Sequence, residues 1–244
     1  MEGRRPWKTD AELEADMRQR PTGFAGFGGG GSVVVTRAHP PKPWGTYGLL
    51  IAFLVVYVLE LIIYNTTPFE TFRYIFTIYS IDTNYDWVMR PWSPFTATMS
   101  HSPVRAGHII FNGLALYFFG PHIELRFGRV HFLTFFLAAG AASSIIQAVI
   151  APNPALGASG AIMGIIGLTI ILEPKARILM FPFPTPIPLW VAGILFALID
   201  VAGAMSGSSG IGNFAHLAGM ALGLAWGYVL KQRTTRRRPG FVAP

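Results

Sequence analysis

Two polar side chains at the edges of long apolar runs have the types needed for nucleophilic catalysis. Ser159 opens an apolar run directly after Gly157 and Ala158. A helix that starts there presents unpaired N–H groups and the positive end of its dipole, which stabilise a developing anion. His216 lies near the start of the last apolar run. An imidazole within reach of a serine hydroxyl takes its proton during attack and returns it to the leaving group. The alternative for Ser159 is a simple helix cap.

Glycines at helical spacing offer a way to bring these two residues together. Each of the two runs carries a stripe of small residues, and such stripes let helix backbones approach closely. The glycines are Gly160, Gly164 and Gly167 in the first run and Gly219, Gly223 and Gly227 in the second. Because His216 lies one turn before Gly219, contact between the stripes would carry its imidazole to the helix start that holds Ser159.

A second pair of polar residues lies in another apolar run. His108 and Asn112 are four residues apart, so a helix places them on one face. Their N–H groups could stabilise an oxygen that becomes negative during acyl transfer. The alternative is an ordinary contact between helices.

The other polar groups of the apolar runs have structural interpretations. Asp200 is the only carboxylate of its run, and we expect it in a pairing or cavity role. Glu60 and Glu173 are expected near span ends or in internal pairs. His101 is interpreted as a solvated loop histidine. The absence of cysteine excludes disulfides, a thiolate nucleophile and sulfur-ligated metals, and we expect neither a cofactor nor a metal.

Composition indicates that much of this chain lies in a membrane. Of its 244 residues, 52% are apolar and only 13% charged, and the mean hydropathy is +0.45, which argues against a single soluble domain. A bilayer core needs about 20 apolar residues in helix. Six runs near that length are Tyr47–Tyr64, Gly107–Gly120, His131–Ile150, Ser159–Leu172, Pro188–Met205 and Asn213–Leu230. We therefore predict an all-α polytopic membrane protein of six spans, in which the short second and fourth runs extend into flanking residues.

The distribution of basic residues predicts the orientation of the spans. Of the 19 Lys and Arg residues, only Arg73, Arg90 and Arg105 fall on the side of the membrane opposite the termini. Because basic residues concentrate on the cytoplasmic side, we expect a plasma-membrane protein with both termini in the cytoplasm. The basic flanks favour membrane lipids as partners and require no nucleic acid. We divide the chain into a cytoplasmic segment and linker (1–46), a membrane domain (47–230) and a basic cytoplasmic tail (231–244). The aromatic first outer loop, about 65–106, is expected to insert partly into the membrane.

Several motifs recur in the order typical of one family, and the chain resembles the rhomboid intramembrane serine proteases between about Asp86 and Tyr228. The motifs are Gly-x-Ser-Gly at Gly157–Gly160, Ala-His-x-x-Gly-x-x-x-Gly at Ala215–Gly223, His-x-x-x-Asn at His108–Asn112 and Gly-Pro-x-x-Glu-x-x-x-Gly at Gly120–Gly128. The chain departs from the family at Met163, where an aromatic residue is frequent, and at Arg90-Pro91-Trp92, where Pro separates the Arg and Trp of the first-loop anchor.

The resemblance implies roles for these residues. It makes Ser159 the nucleophile and His216 its base, in a dyad without a carboxylate, and His108 and Asn112 the oxyanion donors. It also implies that Glu124 and Arg126 form a structural hydrogen-bonding pair. The expected function is a serine endopeptidase that cleaves in or beside transmembrane segments of other proteins. The alternatives are a catalytically silent relative that binds or escorts membrane proteins and, less favoured, a transporter.

Overall fold

A computed structural model of the chain describes residues 41–77, 90–151, 155–180, 182–206 and 212–236. The predictions for residues 1–40, for the middle of the first outer loop and for the last eight residues lie outside these ranges. Eight helices and a two-stranded antiparallel β pair form the described part. They are α1 (Trp44–Thr66), α2 (Phe69–Phe76), α3 (Ser93–Met99), α4 (Ala106–Phe127), α5 (Arg129–Ile150), α6 (Ser159–Leu172), β1 (Arg177–Ile178), β2 (Ile187–Pro188), α7 (Leu189–Ser206) and α8 (Asn213–Arg236).

The predicted class, an all-α polytopic membrane protein, is confirmed. The six long or apolar helices α1 and α4 to α8 coincide with the six predicted runs. In the described residues, α1, α5 and α7 are long and apolar enough to cross a membrane by length and composition. As predicted, the second run extends, because α4 continues to Phe127.

The extension predicted for the fourth run is wrong. Helix α6 begins at Ser159 and ends at Leu172, so its 14 residues rise only about 21 Å, less than the hydrocarbon core of about 30 Å. At least one end of α6 must therefore lie within the depth of the membrane. Such a short helix is possible because α6 is central, with nine of its residues buried among α4, α5, α7 and α8.

Helices α6 and α8 are in backbone contact along their glycine stripes. A methyl group added at Gly219 would overlap the carbonyl oxygen of Gly160, and one added at Gly223 would overlap that of Gly164. No side chain larger than hydrogen fits at these points. The close contact fixes the height of one helix against the other, and with it the relative height of the residues at the start of each helix.

The start of α1 is fastened to α4 by Glu124. Its carboxylate accepts the N–H groups of Gly45 and Thr46, both at 2.6 Å, and the Thr46 hydroxyl at 2.9 Å. These are N–H groups that a helix start leaves unpaired. The expected pair of Glu124 with Arg126 is not formed, because side chains two residues apart on a helix face different directions. Arg126 lies instead 3.7 Å from Glu173.

The described parts of the first outer loop are tied to the helices by buried polar groups. Arg90 is 2% exposed and donates from Nη1 to the carbonyls of Tyr74 at 2.7 Å and Thr77 at 3.3 Å. Glu60 accepts the backbone N–H of His101 at 2.9 Å, so it forms an internal pair, one of the two outcomes expected for it. The interpretation of His101 as solvated is wrong, because its side chain is fully buried. The partial insertion of this loop in the membrane stays a prediction.

Candidate active site

The serine and the histidine singled out in the sequence lie in direct contact. Ser159 Oγ is 2.7 Å from His216 Nε2, which is a strong hydrogen bond by distance. Ser159 is the first residue of α6 and His216 lies in the first turn of α8, one turn before Gly219. Both side chains are partly exposed. The arrangement suits proton transfer from the hydroxyl to the ring.

A carboxylate contacts the other ring nitrogen of His216. Asp200 Oδ1 lies 2.8 Å from His216 Nδ1, and the Asp200 side chain is 7% exposed. The sequence predicted a pairing or cavity role for Asp200 without indicating a partner, and the resemblance implied a dyad without a carboxylate. The feature of the sequence that could have indicated this contact is Gly203, one turn after Asp200. A methyl group at Gly203 would lie 2.8 Å from the Asn213 amide, so this glycine lets α7 approach the start of α8.

His108 is oriented as a hydrogen-bond donor. Its Nδ1 accepts the backbone N–H of Ser102 at 3.3 Å. A neutral imidazole whose Nδ1 accepts carries its proton on Nε2. That atom faces Gly157, where an added methyl group would lie 2.7 Å from His108 Nε2 and 3.6 Å from Ser159 Oγ. The ring N–H and the hydroxyl therefore border one small space.

Gly157, which the sequence offers only as part of a motif, shapes that space. Its φ of +133° is strained for any residue with a side chain, and its N–H donates to the Ala97 carbonyl at 2.7 Å. Asn112, one turn after His108, is 6% exposed, and its amide Nδ2 has no hydrogen-bond partner among the described residues. A buried amide donor without a partner is costly unless a ligand supplies one.

A family model of the rhomboid domain matches residues 88–233, more than half of the chain. This chain belongs to the rhomboid family. The matched range includes every side chain described above for the candidate site.

Curated relatives of this rhomboid come from plants, fungi and bacteria. RHOMBOID-like protein 12, mitochondrial, of Arabidopsis thaliana is 33% identical over 156 residues, which cover 56% of this chain and 46% of the relative. Rhomboid protein 1, mitochondrial, of Saccharomyces cerevisiae is 29% identical, covering 63% and 46%. Rhomboid protease GlpG of Haemophilus influenzae is 28% identical, covering 54% and 67%. The match to the two mitochondrial relatives thus spans less than half of their length.

A cavity of about 430 Å³ lies next to the His108 and Gly157 side of the candidate site. Two of its lining residues touch the site directly: Ser102 donates to His108, and Leu156 precedes Gly157. Aromatic rings from α1 and α2 form the opposite wall, namely Tyr64, Phe69 and Phe72. The cavity therefore offers a mostly apolar space, with Arg73 and Thr77 also in its lining, next to the glycine that borders Ser159.

Proposed function

We propose that this chain is an intramembrane serine endopeptidase that cleaves peptide bonds in or next to transmembrane segments of other membrane proteins. The observation that carries the proposal is the 2.7 Å contact between Ser159 Oγ and His216 Nε2 at the start of a buried helix. Membership of the rhomboid family supports it, since relatives in Haemophilus influenzae and Bacillus subtilis are named rhomboid proteases.

The first half of the proposed reaction forms an acyl-enzyme. Ser159 Oγ attacks the scissile carbonyl carbon while its proton passes to His216 Nε2. The carbonyl oxygen becomes negative and receives hydrogen bonds from His108 Nε2–H and Asn112 Nδ2–H, each worth about 2.7–4 kcal/mol in comparable hydrolases. When the C–N bond breaks, His216 gives its proton to the leaving amine.

The second half releases the acyl group. A water molecule donates a proton to His216 Nε2 as its oxygen attacks the ester carbonyl. The bond to Ser159 Oγ then breaks, and the proton returns to the serine. The partial exposure of both side chains supports access for this water.

The substrate class follows from where the nucleophile lies. A continuous helix holds its carbonyls in its own hydrogen-bond ladder, so a membrane-spanning substrate must unwind locally to present one to Ser159. We propose that an apolar substrate side chain enters the cavity that Leu156 and Phe72 line, beside the oxyanion space.

The location and orientation are also proposals. The basic flanks favour a plasma membrane with both termini in the cytoplasm and contact with anionic lipid. Because the chain has no cysteine, single cysteines introduced at exposed Val104 and Lys175 report the side of each loop. A membrane-impermeant thiol reagent applied to intact cells should label Val104→Cys and spare Lys175→Cys. The reverse pattern would contradict the orientation.

The decisive experiment uses purified protein in liposomes with a fluorogenic transmembrane peptide and a fluorophosphonate probe. Ser159→Ala should abolish both cleavage and labelling, and His216→Ala should lower kcat by about 10⁶-fold if it acts as the base. Ser206→Ala and His131→Ala, at exposed positions on α7 and α5, are the matched controls and should keep full activity.

The same experiment separates the rival functions. A folded wild-type protein that binds the peptide but neither cleaves it nor reacts with the probe would favour the silent binding relative. Ion flux into the same liposomes would favour the transporter. Full activity of His216→Ala would refute the proposed catalytic pair.

A further inference from the structure

The contact of Asp200 with His216 joins α7 and α8 through one buried and one partly exposed side chain. Asp200 Oδ1 and His216 Nδ1 are 2.8 Å apart, and the two side chains are only 7% and 15% exposed. Removing a carboxylate from water costs several kcal/mol unless a partner compensates. Asp200 is nevertheless the only buried residue of α7 beyond Gly193. If packing alone mattered here, an apolar side chain would serve better.

The two nitrogens of the His216 ring have complementary partners. A neutral imidazole carries one proton, which lies on either Nδ1 or Nε2. Only the form protonated on Nδ1 leaves a lone pair on Nε2 to accept the Ser159 proton. An ionised Asp200 accepts hydrogen bonds but cannot donate one, so it selects this form. The ring is thereby held with Nε2 toward Ser159 Oγ, at the observed 2.7 Å.

Asp200 also acts after the proton has moved. Attack by Ser159 converts His216 to imidazolium, with protons on both nitrogens. A carboxylate 2.8 Å away attracts that positive charge more strongly in a partly buried site than the same carboxylate would in bulk water. The proton stays on the ring throughout.

We propose that Asp200 is a positioning residue that turns the catalytic pair into a Ser159–His216–Asp200 triad assembled from helices α6, α8 and α7. This inference rests on the proposed function, because it assigns Asp200 a part in that reaction. In this proposal Asp200 acts on the reaction through His216 and does not bind the substrate. Its contribution should therefore appear in kcat and leave KM unchanged.

The test compares Asp200→Asn with Asp200→Glu. The Asn amide keeps the volume of Asp200, but its NH₂ group donates to Nδ1 and so favours the form with the proton on Nε2. We expect kcat to fall by about 10²–10⁴-fold at a KM within about twofold of wild type. Asp200→Glu keeps a carboxylate acceptor and should retain at least about tenfold more activity than Asp200→Asn. If Asp200 had a purely structural role, Asp200→Glu would not be more active than Asp200→Asn.

The matched control is Glu173→Gln. Glu173 also contacts a histidine, with His122 Nε2 at 2.5 Å, but this pair joins the ends of α4 and α6 away from Ser159. Its substitution removes the same charge from a more exposed carboxylate–histidine contact, which Arg126 also adjoins, and should leave kcat within about twofold. Melting temperatures in detergent show whether each variant is folded. If Asp200→Asn does not fold, Asp200→Ala, which leaves room for a water molecule, takes its place with the same expected loss of kcat.

The outcomes separate this inference from the proposed function. Wild type that cleaves and labels, combined with a folded Asp200→Asn whose kcat is within threefold, would overturn the role of Asp200 alone. Equal losses in Asp200→Asn and Asp200→Glu would also overturn it, because they would assign the effect to packing. A wild type that neither cleaves nor labels would refute the proposed function and this inference together.

Discussion

Replacing Gly219 with Ala tests whether glycine contact between α6 and α8 sets the catalytic distance. The new methyl group would overlap the Gly160 carbonyl oxygen and lie 2.8 Å from its carbon, whereas carbon atoms in contact lie about 3.5–4.0 Å apart. The helices must therefore part by about 1 Å. Since Ser159 adjoins Gly160 and His216 lies one turn before Gly219, the 2.7 Å contact lengthens to about 3.7 Å, beyond hydrogen-bond range.

The expected result is a fall in kcat of about 10²-fold, because a 1 Å misplacement of reacting groups costs about that much. Unfolding free energy should fall by about 1–3 kcal/mol, as for an overpacked core. The assay is peptide cleavage in liposomes, with melting temperature in detergent measured in parallel. Gly48→Ala, where an added methyl group meets nothing within 4 Å, is the neutral control.

Gly227→Ala separates the effect on catalysis from the effect on stability. It lies on the same face of α8 but two turns beyond Gly219, where an added methyl group would be 2.9 Å from the Ile171 side chain. It should lower stability with little change in kcat. The reasoning is refuted if Gly219→Ala keeps wild-type kcat, or if Gly227→Ala loses as much kcat as Gly219→Ala.

Two further substitutions test the oxyanion space and the fastening of α1. Gly157→Ala places a methyl group 2.7 Å from His108 Nε2 and should lower kcat by about 10²–10³-fold. Gly128 also has a positive φ, but an added methyl group there meets nothing within 4 Å. Gly128→Ala should therefore lower stability by about 1–3 kcal/mol and keep the wild-type kcat. Equal kcat in Gly157→Ala and Gly128→Ala would contradict this description of the site. Glu124→Ala removes three hydrogen bonds to the start of α1 and should lower unfolding free energy by about 2–4 kcal/mol, measured by denaturation in detergent. Glu70 is an exposed partner of Arg73, so Glu70→Gln should change the unfolding free energy by under about 1 kcal/mol. Equal losses of stability in Glu124→Ala and Glu70→Gln would contradict the role of Glu124.

Much of the architecture could be predicted because it depends on local pattern. Runs of apolar residues near membrane length indicate helices whatever their neighbours are, and the six runs coincide with helices in the structure. The glycine stripes were visible for the same reason, since a spacing of four residues places them on one face of a helix. The length of α6 was missed, because a helix enclosed by others need not cross the membrane alone.

Buried partners between helices were harder to predict. His101 looked like a loop residue exposed to solvent, yet its side chain is buried, and Glu60 of α1 accepts its backbone N–H. Glu124 was assigned to a neighbour in sequence, while its actual partners are Gly45 and Thr46, nearly 80 residues earlier. Nothing in the local pattern around these residues indicates how the distant helix is rotated.

The amino-acid sequence alone determined the membrane class, the helical runs and the two residues, Ser159 and His216, that could form a nucleophile and base. Residue type and helical spacing suffice for these conclusions because they act within a single helix. Only the tertiary structure decided that Asp200 meets the second nitrogen of His216 and that Gly157 leaves room beside His108. Those contacts depend on the height and rotation of separate helices, which the packing of the whole bundle sets.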